Sequence, residues 1–296
     1  MFTIVFGTDG SADSRGAAGF LAPLPLPAGS AIYVLSVIYE WTVPPAAFPD
    51  APLIQLTQIR QEEESRAAAA VREAAEILTR ERVLVATETP VGEPAHELLL
   101  AAERHHANLI AVGSKGLTGL DRFILGSVAG NVAHHAKCPV LVAHAPKNGL
   151  KTAIVAIDES EHARNAAEFA ARMPLPLETT CVAVNVVRPY RPHHAADPED
   201  PDAFQREVEE ARSHRWAAGE RIAARGQEPL AAVGRPVEIA VTEGDPTDQI
   251  LAVAAQRGAD LIIAGARGVS LIQGLLVGSV ADRLLKQADR SVLLVR

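Results

Sequence analysis

Asn108-Leu109-Ile110-Ala111-Val112-Gly113-Ser114-Lys115-Gly116 and Asp260-Leu261-Ile262-Ile263-Ala264-Gly265-Ala266-Arg267-Gly268 are one passage written twice. In each, an apolar run of strand length ends in a glycine, and a second glycine follows three residues later. Nine residues further on stand Gly126-Ser127 and Gly278-Ser279. Extended outward, residues 92–143 align on residues 244–295 without a gap, at an offset of 152. Gly92-Glu93-Pro94 falls on Gly244-Asp245-Pro246, and Gly126-Ser127-Val128 on Gly278-Ser279-Val280. The amino-terminal pieces align at a slightly smaller offset, Ile4 to Asp9 on Ala153 to Asp158. A period this long signals two similar domains rather than a solenoid of short units. The polar turn Pro146-Lys147-Asn148-Gly149 places the boundary, giving domains 1–146 and 150–296.

Within each half, apolar runs alternate with helical patterns. Strands are predicted at 2–8, 31–38, 82–88, 108–113 and 139–143, and again at 152–157, 180–187, 236–242, 260–265 and 291–295. Helices are predicted over 53–80, which contains QEEESRAAAAVREAAEIL, and over 94–106, where Pro94 occupies the first helical position. The second half repeats them at 160–172, 203–225, 246–257 and 279–288. Such alternation implies an α/β class with a parallel sheet, right-handed crossovers and helices on both faces. WTVPPAAFPDAP at 41–52 and RPYRPHHAADPEDPD at 188–202 read as irregular loops after the second strand of each half, either covering a cleft or simply mobile. The closing strands, Val140-Leu141-Val142 and Val292-Leu293-Leu294-Val295, would make exposed apolar edges. The economical expectation is that the halves cover these edges mutually, an intramolecular pseudo-dimer, with a homodimer of the whole chain left open.

With 296 residues, 48% of them apolar, the chain can supply two packed cores. A net charge of −8 argues against a surface for nucleic-acid backbone or anionic lipid, while leaving room for a local anion site. MFTIVFGTDGS has no basic leader and reads as a strand, and no apolar run approaches membrane-spanning length, so a cytoplasmic, non-membrane protein is expected. Cys138 and Cys181 are read as reduced thiols. Histidines come as neighbours, His105-His106, His134-His135 and His193-His194. On a helix, neighbours point about 100° apart and cannot clamp a metal as residues four apart can. No metal site is expected.

The glycine loop carries the chemistry. Glycine admits positive φ and close backbone approach. The N–H groups opening the helix after Gly126 or Gly278 would face an anion, helped by the helix dipole. Ser127 and Ser279 add hydroxyl donors, and Lys115 and Arg267 place a cation in the same loop. The bland alternative is that the glycines only make turns. In an open α/β sheet of order 3-2-1-4-5 the ligand crevice lies between strands 1 and 4. Asp9 and Asp158 end strand 1 in each half, and two compatible readings stand for them, capping the following helix and contacting the ligand.

These features resemble the universal stress protein family in its tandem form, and the resemblance covers essentially the whole chain. It rests on Gly113-x-x-Gly116-(nine residues)-Gly126-Ser127 and its twin from Gly265 to Ser279, supported by Thr8-Asp9-Gly10-Ser11, Ile157-Asp158-Glu159-Ser160 and Cys138-Pro139-Val140-Leu141-Val142. The resemblance implies two Rossmann-like domains of the adenine nucleotide alpha hydrolase type, each with a five-stranded sheet. Members with this loop intact bind ATP, with magnesium admitted beside the phosphates. It further implies that Asp9 and Asp158 meet adenine and ribose, and that the backbone of Val37 and Val186 lines the adenine pocket. Gly113, Gly116, Gly126 and Ser127, with their counterparts, would hold ribose and phosphates. Departures are mild: Ala266 stands opposite Ser114, and Ser36 and Asn185 stand where the family often has histidine.

The sequence has no Walker-type loop, no G-x-S-x-G elbow and no kinase motif set. The first expectation is an ATP-binding stress and signalling module whose protein partner is unknown. The alternatives are a slow ATPase, or an enzyme phosphorylating itself at a loop serine such as Ser114, and a nucleotide-independent scaffold.

Overall fold

The computed structural model describes residues 1–39, 53–116, 125–147, 149–190, 201–268 and 277–296, the side chains of 53–57 and 201 excepted. The loops expected at 41–52 and 188–202 lie almost wholly outside these residues, as do His193-His194 and most of each nine-residue spacer.

In the first repeat, β1 (Thr3–Gly7) leads through α1 (Ala12–Leu21) to β2 (Ser30–Leu35) and a two-residue β3 (Ile38–Tyr39). Next come α2 (Leu53–Leu78), β4 (Val83–Glu88), a two-residue β5 (Val91–Gly92), α3 (Pro94–Arg104), β6 (Leu109–Gly113), α4 (Ser127–His135) and β7 (Val140–Ala143). The second repeat runs β8 (Thr152–Ala156), α5 (Glu161–Arg172), β9 (Thr180–Val187), α6 (Pro201–Ala232) and β10 (Val237–Glu243). It ends with α7 (Pro246–Gln256), β11 (Leu261–Gly265), α8 (Ser279–Gln287) and β12 (Ser291–Val295). The chain divides into two compact units, Met1–Lys147 with Leu285–Leu293, and Asn148–Leu284 with Leu294–Arg296.

The main strands of the first repeat lie in the order β4-β2-β1-β6-β7, and those of the second in the order β10-β9-β8-β11-β12. Both are the expected 3-2-1-4-5. The first-repeat ladders β1–β2, β1–β6, β2–β4 and β6–β7 are parallel, as are β8–β9, β8–β11 and β9–β10 in the second. In the first repeat α1 packs on α2 and α3 on α4, so a helical layer covers each face. This is why Ile4, Val5, Phe6, Leu109, Ile110 and Ala111, and equally Ile154, Val155, Leu261, Ile262 and Ile263, are fully buried along continuous runs.

Two departures from the sequence reading matter for the crevice. The strand expected over 31–38 breaks after Leu35, and the chain leaves the main sheet to form β3, which pairs with β5 as a separate small sheet. Ser36 N donates to Glu88 O and Ile38 N to Pro90 O, so the backbone stays satisfied while it changes partner. The helix expected to end at 225 instead runs to Ala232, through Gly226 and Pro229. Gly226 lies so close to Ile157 that an added Cβ would come within 2.5 Å of its side chain. The helix is therefore held by its packing on the end of β8, against the local preference of glycine and proline.

One device recurs beneath both sheets. Arg80 Nη1 donates to the carbonyls of Ala22 at 2.6 Å and Leu24 at 2.9 Å, at the end of α1. Arg235 donates to Met173, Leu175 and Pro176 at 2.9–3.3 Å, at the end of α5. Each guanidinium satisfies carbonyls that the helix end leaves without partners. Arg235 is only 9% exposed.

Two outcomes follow from this packing. Arg235→Met is expected to destabilise the chain by about 3 kcal/mol in urea unfolding, because three carbonyls lose a charged donor. Arg235→Lys should recover less than half of that, since one ammonium cannot span the three acceptors; full recovery would refute the fork geometry. Burial pushes the Cys181 thiol up to about 11, and its side chain has no exposure. At about pH 8 a thiol reagent should leave Cys181 unmodified until the chain is unfolded; fast labelling of the native chain at Cys181 would contradict its placement.

Candidate functional site

The end of strand β1 sets the floor of the first crevice. After Gly7 the chain turns through Thr8-Asp9-Gly10-Ser11, with Gly10 at φ +73°, a conformation glycine adopts without penalty. Asp9 Oδ1 accepts from Ser11 N at 3.0 Å, and Ser11 Oγ caps α1 by accepting from Ser14 N at 3.2 Å. The second copy repeats both contacts, Ser160 N to Asp158 Oδ1 at 2.9 Å and Ala163 N to Ser160 Oγ at 3.1 Å. So Oδ1 of each aspartate does the local turn work. Oδ2 is on the other side, turned toward the glycine loop: a Cβ added at Gly116 would lie 2.8 Å from Asp9 Oδ2, and one added at Gly268 would lie 2.9 Å from Asp158 Oδ2. The turn role and a crevice-facing role coexist in one side chain.

The loop is closed at its neck. Gly126 N donates to Ser114 O at 2.8 Å, and Gly278 N to Ala266 O at 2.7 Å. Ser11 Oγ donates to Lys115 O, and Ser160 Oγ to Arg267 O, both at 3.5 Å. Strand 1 and the loop after strand 4 are thus tied on either side of the crevice. Gly126 is the N-cap of α4 and supplies no side-chain acceptor to the first turn, and Ser127, the first helical residue, is exposed. Ser279 opens α8 and is exposed in the same way.

The glycines are there for a different reason from the one their sequence suggests. None of Gly113, Gly116, Gly126, Gly265, Gly268 and Gly278 has a positive φ. Each is required by close approach. A Cβ at Gly113 would lie 2.9 Å from Asp13 C and Ser14 N, and one at Gly265 would lie 2.7 Å from His162 C. These two glycines let the first turn of α1 or α5 press against the end of the fourth strand. A Cβ at Gly126 would lie 3.2 Å from Ser114 O, and one at Gly278 would lie 3.3 Å from Arg267 Cα, where the returning loop crosses itself. Gly116 and Gly268 keep open the space before the aspartates, a cradle that any side chain would fill.

In the second copy all seven residues singled out from the sequence, Asp158, Val186, Gly265, Arg267, Gly268, Gly278 and Ser279, line one cleft. Its floor is apolar, with Ile157, Val184 and Ile250 among its walls. In the first copy Asp9, Gly113, Lys115, Gly116 and Gly126 are gathered by the contacts above, Ser127 follows Gly126 at the start of α4, and Val37 follows the end of β2, where the chain crosses to β3. Sequence reasoning gave no site role to Arg188, which lines the cleft, or to Asn185, noted there only as a departure from the family, whose Nδ2 donates to Ile157 O at 2.8 Å. The strand register gives the signal for both, because Ala156 pairs with Val184 and so brings the residues just beyond to the carboxyl edge.

The histidine neighbours do not converge. His134 and His135 each bond a carbonyl of their own helix, at 2.7 and 2.8 Å. His105 stacks on Tyr33 at 3.5 Å and meets Glu88 at 2.7 Å. Among the described residues no group of three or more potential ligands is placed to hold a metal ion, and no helix is long and apolar enough to cross a membrane.

Comparison with known proteins agrees with this layout. The model of the universal stress protein family matches residues 1–144 and again 149–296. A universal stress protein of Mycobacterium tuberculosis is 28% identical over 319 aligned positions, covering 99% of this chain and 96% of its own. One from Methanocaldococcus jannaschii is 49% identical over 65 residues, which is 22% of this chain and 38% of the relative, so that match spans little more than a third of it. The crystal structure of a universal stress protein from Archaeoglobus fulgidus superimposes with a TM-score of 0.65 at 22% identity, covering 99% of this chain and 98% of that one, a likeness of fold. With two matches to the family that together span nearly the whole chain, the chain belongs to the universal stress protein family as a tandem member.

Proposed function

We propose that each repeat is an ATP-binding module, and that the bound nucleotide sets the conformation or partner state of a stress-response protein. The observation carrying this reading is the duplicated juxtaposition of an aspartate with a loop glycine, at 2.8 and 2.9 Å from the would-be Cβ, across the strand 1/strand 4 crevice. Ligands of open α/β sheets sit in that crevice. Its apolar side, by Val37 or Val186, suits adenine; Asp9 or Asp158 suits ribose hydroxyls. The loop backbone, the first turn of α4 or α8, Ser127 or Ser279, and Lys115 or Arg267 suit the phosphates. Magnesium would travel with those phosphates. The setting proposed is cytoplasmic.

An enzymatic role is supported more weakly. Ser114, the loop serine considered as a phosphoryl acceptor, is 6% exposed and donates its hydroxyl to Asp13 Oδ2 at 3.2 Å. Phosphoryl transfer to it would require the neck of the loop to open first.

Binding is tested by equilibrium dialysis with ATP, and by mass spectrometry of nucleotide carried through purification. The full chain should bind ATP below millimolar concentration. The double variant Gly116→Val, Gly268→Val should bind it at least about 100-fold more weakly, since each added side chain fills the space before an aspartate. Absence of binding by the parent chain at millimolar ATP would favour the scaffold. Hydrolysis should stay below about one turnover per minute, far under the usual range of enzymes; faster release of phosphate, lost in the double variant, would establish an ATPase instead.

A further inference from the structure

The two crevices share a frame and differ in charge. The registers Gly7 with Leu35 and Ala156 with Val184 make Tyr39 and Arg188 equivalent positions at the mouth. By the same alignment Asp13 corresponds to His162, in the first turn of α1 and α5, and Ser114 corresponds to Ala266 in the loop. We infer that the crevices are unequal: the second is the tight site for a polyphosphate nucleotide, and the first is a weak site held down by the carboxylate of Asp13 behind its loop. The inference rests on the proposed reading of both crevices as nucleotide sites.

Asp13 is half-buried, its backbone pressed on Gly113, and its Oδ2 takes the Ser114 hydroxyl at 3.2 Å. The chain thus presents its own anion to the loop that would receive the phosphates. It does so at the helix terminus, whose dipole favours a negative charge, so that a second anion meets one already in place. His144 lies near enough to feel Asp13, but burial holds its imidazole below the ordinary range, so it offers the carboxylate little counter-charge near pH 7. In the second copy His162 replaces the carboxylate, Ala266 removes the hydroxyl that anchors it, and Arg188 adds a cation to the cleft lining beside Arg267. Tyr39, exposed at the first mouth, brings no charge to the equivalent place. These three differences have one sign; Glu159 and Glu161, which stand opposite Gly10 and Ala12, have the other, but both are exposed to solvent and Glu161 is paired with Arg164. The three favour phosphate in the second crevice and leave the adenine side of each crevice alone.

Isothermal titration of the full chain with one crevice closed separates the sites: Gly268→Val leaves the first and Gly116→Val leaves the second. The second crevice should bind ATP at least about tenfold more tightly than the first, while adenosine binds the two within about threefold. In the Gly268→Val chain, Asp13→Asn should raise ATP affinity about fivefold or more without moving adenosine, and Asp13→Glu should leave it weak. The gain should shrink as salt is raised, since it is electrostatic. In the Gly116→Val chain, His162→Asp should weaken ATP by a similar factor. Equal ATP affinities overturn the inference, and so does an Asp13→Asn chain that shifts adenosine as much as ATP, which would mark Asp13 as merely structural. Failure of both single-crevice chains and of the parent to bind any nucleotide removes the underlying nucleotide reading itself, an outcome distinct from binding without preference.

Discussion

The contact between the first turn of α1 and the end of β6, and its twin between α5 and β11, constrains the rest of each repeat. At Gly113 and Gly265 the helix backbone approaches within 2.9 and 2.7 Å of where a Cβ would be. That approach fixes how far the aspartate at the end of strand 1 stands from the loop after strand 4. It also fixes the geometry of the neck, because Ser11 and Ser160 reach the carbonyls of Lys115 and Arg267 from the same turn that caps the helix. A larger residue at either glycine would lift the helix off the sheet, and the crevice would widen at its narrowest place. The hydrophobic runs of the parallel sheet supply stability, but they would be satisfied by many loop conformations. Shape at the carboxyl edge comes from this one steric demand.

The far ends of the same helices are secured by different chemistry. Arg80 and Arg235 collect the carbonyls at the ends of α1 and α5, where backbone acceptors are left without helical partners. A helix pinned at its first turn by close packing and at its last by a guanidinium has little freedom to slide along the sheet. The crevice is therefore carried on a rigid element.

Much of this was legible in the sequence. The gapless repeat from 92–143 to 244–295 located both loops, and the strand–helix alternation pointed to the class, while the strand order entered with the family resemblance and agrees with the sheet. What the repeat could not convey was the cause of the glycines. A pattern of glycines reads as freedom of φ, whereas here it records contact with Asp13, His162 and the returning loop, which are distant in sequence. The same limit hid the small sheet of Ile38–Tyr39 with Val91–Gly92, since two residues carry no periodicity. It also hid the last turns of α6, where packing of Gly226 on Ile157 overrides two residues that read locally as breakers. Arg80 and Arg235 sit at different offsets from the repeated loop, so aligning the halves does not bring them together; only their shared carbonyl partners do. Asp13 was equally silent, because a carboxylate in the first turn of a helix is an ordinary cap-region residue until its partner in the loop is known.

On the proposed nucleotide reading, a duplicated domain whose copies diverge in charge has a physical consequence that one copy cannot have. Ligand binding stabilises the unit that holds it by RT ln(1 + [L]/Kd), so a tight site is already saturated where a weak one is still responding. Two equal crevices would report nucleotide over the same narrow span of concentration. Separating their affinities by a decade widens that span, and it leaves one crevice filled while the other follows the pool. The substitutions invoked for this, at positions 13, 39 and 114 and their equivalents, change side chains, whereas the glycine contacts at 13 and 114 are made by backbone atoms. Selection can move charge there with little disturbance of the glycine contacts. In a universal stress protein of this tandem form, the frame is thus the shared part of the device, and the charge behind the loop is the adjustable part.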